Sequence, residues 1–141
     1  MNSRTQRLQP AVDLAHQRSE DALAELARQQ QQLAKAEQQL EELERYRSEY
    51  AIGGAEALSV SALLNRQGFV EKIDHAIRVQ VAEVARQKRL LDRVRDHWQQ
   101  AHARESALGT VVAHQLEHER RAEDRREQAE VDERMQHRRA R

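Results

Sequence analysis

Advancing from Leu8 by alternate steps of four and three, the chain places Leu8, Val12, Ala15, Ser19, Ala22, Leu26, Gln29, Leu33, Ala36, Leu40, Leu43, Arg47 and Tyr50 on one line. Ten of these thirteen positions are apolar, and the residues between them are chiefly Gln, Glu and Arg. An apolar repeat of 3.5 residues makes a narrow stripe on a helix, stable in water only when laid against another helix. The pattern predicts a first helix over about residues 8–50 with a coiled-coil seam. Pro10 falls in the first turn of that helix, where its missing amide N–H has no intrahelical partner to lose.

The repeat breaks at about residues 51–61, AIGGAEALSVS, where adjacent Gly53 and Gly54 and two candidate cap serines, Ser59 and Ser61, predict a turn. A second seam follows through Leu63, Arg66, Val70, Ile73, Ile77, Gln80, Val84, Gln87, Leu91, Val94, Trp98, Ala101, Glu105, Leu108 and Val112. It predicts a second helix over about residues 62–135, with Gly68 a weak point costing about 1 kcal/mol against alanine. The expected fold is all-α: a long antiparallel two-helix coiled-coil hairpin forming a single domain over residues 1–141.

Matching side-chain volumes across the hairpin suggests that facing residues have numbers adding to about 113, which sets Trp98 against Ala15, Leu91 against Ala22 and Ile77 against Ala36. On that register everything from about residue 113 onward overhangs, with nothing of the first helix beside it. The overhang ends in EHERRAEDRREQAEVDERMQHRRAR, eight acids and eight arginines at spacings that support a solvated helix.

Composition agrees: Ala, Glu, Lys, Leu and Arg fill 76 of the 141 positions, and only Tyr46, Tyr50, Phe69 and Trp98 are aromatic, a bias towards long helices and against a thick globular core. Twenty-four basic and 24 acidic residues cancel, so no global field draws the chain to nucleic acid or to an anionic membrane. Without cysteine there is no disulfide framework, thiolate nucleophile or cysteine metal site. No apolar stretch reads as a signal peptide or membrane span, so a cytoplasmic location is the expectation.

Little in the chain points to catalysis. His114-Gln115-Leu116-Glu117-His118 matches an H-x-x-E-H zinc pattern, but catalytic zinc needs a third protein ligand and a walled cleft, which a two-helix hairpin does not supply. No phosphate-cradling glycine loop or nucleophile elbow is present. The pairs Arg120-Arg121, Arg125-Arg126 and Arg138-Arg139 are separated by acids and have no aromatic for base stacking, so they read as a solvated face. The run Gln29–Gln32 reads as surface filler with Gln29 in the seam. No enzymatic activity, cofactor or metal is expected.

Tyr46 and Phe69 are the exception. Both occupy heptad g positions, where coiled coils usually carry Glu or Lys, and g flanks g across an antiparallel pair. Gln39 and Ala76 continue that edge, and Leu43, Tyr50, Ile73 and Gln80 adjoin it. Exposed aromatics on a polar coiled coil mark a candidate protein-binding stripe; the alternative is that they widen the core where Arg47 interrupts the seam.

These residues, Tyr46-Arg-Ser-Glu-Tyr50, Asn65-Arg-Gln-Gly-Phe69-Val-Glu-Lys-Ile73-Asp-His-Ala76-Ile77 and a lone Trp98, resemble the flagellar FliJ family over nearly the whole chain. The resemblance implies a component of the flagellar type III export apparatus, similar to the stalk subunit of rotary ATPases. It acts with the hexameric export ATPase FliI, the export gate protein FlhA and export chaperones, peripherally at the inner membrane and as a monomer. The family's gate-contacting surface falls on Gln39, Leu43, Tyr46, Tyr50, Phe69, Ile73, Ala76 and Gln80, with Gln80 standing where the pattern carries histidine. A stalk or adaptor coiled coil of a virulence secretion system, or another structural scaffold, is the other reading.

Overall fold

The computed structural model describes residues 3–52 and 59–140. Two helices, α1 (Ser3–Ile52) and α2 (Val60–Arg139), pack against each other, and no strand occurs among the described residues. The glycine-containing centre of the predicted turn lies outside the described residues. Its exit is described: Ser59 caps α2, its Oγ accepting from the Ala62 amide at 3.2 Å and its carbonyl from the Leu63 amide at 3.0 Å. At the other end His137, Arg138 and Arg139 stand in the last turn of α2, where positive charge opposes the helix dipole favourably.

Both helices are longer than the heptad pattern alone suggests. α1 begins at Ser3 rather than Leu8, so Pro10 lies inside it and deprives the Gln6 carbonyl of its usual donor. The turn before Pro10 has a tertiary anchor: Thr5 is buried and its Oγ1 donates to Glu119 Oε1 at 2.8 Å.

Every position of the first predicted seam is buried or half-buried, and Thr5 alone joins them among residues 4–50 of α1. The second seam is likewise withdrawn from solvent from Arg66 to Val112, while Leu63 at its start stays 50% exposed. No described side chain is completely buried, because one neighbouring helix covers only one side of another.

The chain divides into two compact units: Met1–Asp21 with Gln99–Arg141, and Ala22–Trp98. In the second unit the core is Ala22, Leu26, Ala36, Ile73, Val84 and Leu91, with Gln87 buried among them. Gln87 Oε1 accepts from Gln29 Nε2 at 2.5 Å, and Gln87 Nε2 donates to Glu83 Oε1 at 2.9 Å. Glu83 also receives both guanidinium donors of Arg86, and these bonds, Arg86 first, drive its pKa down to about 2. A buried amide in a seam costs stability unless its bonds are made, and here one is made across the helix pair and one within α2.

The pairing register differs from the expected one. Gln29 meets Gln87 and the Ala36 carbonyl accepts from Gln80 at 2.9 Å, each three residues further along α2 than the predicted opposites, Val84 and Ile77. In the first unit His16 Nδ1 meets Glu105 Oε2 at 2.5 Å, further along still than the predicted His97. Side chains lean towards the N-terminus of their own helix, which accounts for about two residues of offset in an antiparallel pair; the rest is a shift of register. Leu, Val and Ala fit one another in several registers, whereas an amide or carboxylate must meet its partner atom.

The overhang is corrected with it. Thr5 reaches Glu119, and Gln115, Glu119 and Ala122 remain half-buried, so the fully exposed stretch of α2 starts at Glu123 rather than Ala113. From Glu123 to Arg139 it extends about 25 Å at 1.5 Å per residue.

A candidate protein-docking edge

The predicted stripe lies wholly within the second unit. Tyr46 and Tyr50 are one helical turn apart on α1, and their rings stack at 6.5 Å between centroids, 24° apart in plane. Phe69 comes from α2 and tilts against both, at 4.6 Å from Tyr50 and 6.4 Å from Tyr46. These separations fall in the range where offset and tilted ring pairs attract beyond their area burial. The cluster is half withdrawn and half open: Tyr50 is half-buried, but Tyr46 keeps 53% of its surface and Phe69 38%.

Two arginines hold the edge in place. Arg66 lies over the Tyr50 ring, 5.6 Å from its centroid, and its Nη2 donates to the Tyr50 carbonyl. That carbonyl is among the last of α1, so the guanidinium caps the helix and packs on its terminal aromatic. Arg47, which looks like an interruption of the seam, spans the helices instead, its Nε 2.6 Å from Asp74 Oδ1.

One turn further from the loop, Gln80 Nε2 donates to Gln39 Oε1 at 3.3 Å as well as to the Ala36 carbonyl. Gln39 is exposed, and Leu43 and Ala76 are half-buried beside it. Ile73 differs from the rest: at 6% exposure it belongs to the core between the helices, so it supports the edge from beneath. The heptad pattern does not single out Arg66 as a neighbour of the aromatic edge, because it occupies a seam position; it lies over the Tyr50 ring near the end of α1.

The H-x-x-E-H residues lie elsewhere, in the first unit. Glu117 there receives Arg120 and Arg121, whose bonds, Arg120 first, lower its pKa. Among the described residues no group of three or more His, Asp or Glu stands close enough to hold a metal ion. No described helix is long and apolar enough to cross a membrane.

The fold and the edge together define a class: paired-helix coiled-coil proteins that present a partly exposed aromatic edge. Residues 4–141 match the family described as Flagellar FliJ protein. That is essentially the whole sequence, so the chain belongs to the FliJ family and is a component of the flagellar protein export apparatus. No match is found among curated proteins or among solved structures.

Proposed function

We propose that this chain couples the hexameric export ATPase, FliI, to the export gate protein, FlhA, and escorts export chaperones between them, working as a monomer in the cytoplasm against the inner-membrane export apparatus. The gate docks on the edge formed by Gln39, Leu43, Tyr46, Tyr50, Phe69, Ala76 and Gln80, with Ile73 as its support. The ATPase engages the first unit, with the charged stretch from Glu123 onward.

The observation that supports this most is the three-ring cluster of Tyr46, Tyr50 and Phe69, held by Arg66 yet half open to solvent. Pre-positioned aromatics lose little conformational entropy on binding, which is why such residues concentrate binding energy at interfaces. A coupling component needs no catalytic group; it needs a contact surface for each partner. The test is affinity of the full chain for the soluble part of the gate protein. Tyr46→Ala with Phe69→Ala should weaken it more than tenfold while helical content holds. Gate affinity within about twofold of wild type would show that docking occurs elsewhere.

A further inference from the structure

α2 carries a second heptad pattern, on the side away from α1. From Lys72, alternate steps of three and four pass through His75, Val79, Ala82, Arg86 and Arg89 to Arg93, and all of these side chains are exposed. No acid interrupts the line over about three heptads. Of the nearby acids, Asp74 goes to Arg47 across the helix pair and Asp92 lies 3.7 Å from Arg95, while Glu83 pairs with Arg86 of the line itself and with Gln87. Among the described residues, Lys72, Arg89 and Arg93 make no ion pair. The outward line of α1 in the same unit contrasts with it. Ala24, Arg28, Gln31, Lys35, Gln38, Glu42, Arg45 and Glu49 carry both signs, as expected of a face that only meets water.

A chain with zero net charge has thus collected one sign along a single helical stripe about 31 Å long. Heptad spacing fits the stripe to another helix lying alongside, and the exposed Val79 and the small Ala82 at its middle leave room for close approach. We infer that this outer face of α2 is a second interaction surface, taking an acidic amphipathic helix of a partner protein whose Glu or Asp residues recur at three- and four-residue spacing. It is separate from the aromatic edge and independent of the gate assignment. Arg86, held by two bonds to Glu83, provides the fixed point, while Arg89 and Arg93 form the charged contacts. Electrostatic complementarity of this kind selects partner and register and speeds encounter more than it adds affinity.

The experiment uses the full chain and a synthetic helical peptide of about three heptads with glutamates on one stripe, read by fluorescence anisotropy. Comparators are a peptide of identical composition with the glutamates scattered and one with lysine in place of each glutamate. The striped acidic peptide should bind at least about tenfold tighter than the scattered one and weaken steeply with salt. Arg86→Glu with Arg89→Glu and Arg93→Glu should remove that binding and gain binding to the lysine peptide, which a misfolded variant would not do. Equal binding to striped and scattered peptides, or binding unchanged in the triple variant, overturns the inference. So does salt-sensitive dimerisation of the chain abolished by the same substitutions, which gives the face to a second copy. Binding to phosphatidylglycerol vesicles without binding to the peptide gives it to a membrane and equally overturns the inference.

Discussion

Replacing Phe69 with alanine isolates what holds the docking edge together. Phe69 is 38% exposed, so about three-fifths of its surface is withdrawn from water, and its ring lies against those of both Tyr50 and Tyr46. A fully buried Phe→Ala costs about 3–5 kcal/mol; scaled by burial, Phe69→Ala should cost about 2–3 kcal/mol of unfolding free energy. Tyr46→Ala, more exposed and further from its neighbours, should cost about 1 kcal/mol. Of the Phe69 loss, about 0.5–1.5 kcal/mol belongs to the ring pair at 4.6 Å and should appear as coupling in a Tyr50→Ala, Phe69→Ala double-mutant cycle. Urea unfolding followed by helical circular dichroism measures all four species. A Phe69→Ala cost below about 0.5 kcal/mol, with no coupling to Tyr50, would refute a packed edge: the rings would then be independent side chains on separate helices.

Two further outcomes follow from the helices themselves. At Gly68 and Gly109 an added Cβ would meet nothing within 4 Å, and neither has positive φ; each Gly→Ala should therefore stabilise by about 0.5–1 kcal/mol, read as a raised urea midpoint, and a lowered midpoint would contradict the geometry. In the first unit, the bond to Glu105 holds the His16 pKa above its ordinary 6.5, and the bond to His16, helped by Ser19 and His102, holds Glu105 below its ordinary 4.5. The His16 contribution is fully present below pH 6.5 and is lost as pH rises through its raised value, while that of Glu105 is present above pH 4.5 and is lost as pH falls through its lowered value. The stability difference between wild type and His16→Gln should accordingly be largest between about pH 4.5 and 6.5, and thermal melts across pH with a constant difference would show the bond to be absent.

The heptad pattern by itself determined that there would be two helices and which face of each would turn inward, since every seam position from Leu8 to Tyr50 and from Arg66 to Val112 is withdrawn from solvent. It also singled out the aromatic edge, because Tyr46 and Phe69 stand where coiled coils ordinarily carry charge. Tertiary structure decided the register, the start of α1 at Ser3 and the start of the exposed stretch at Glu123. Periodicity sets the angle around a helix axis but not position along it, and exchangeable Leu, Val and Ala leave several alignments close in energy. The alignment rests on polar residues, of which Gln29, Gln87 and Arg47 interrupt the apolar seam. Gln29 with Gln87, Arg47 with Asp74 and Thr5 with Glu119 are directional pairs across the two helices, and Ile73, apolar at the docking edge in sequence, is drawn under it because its seam position faces α1.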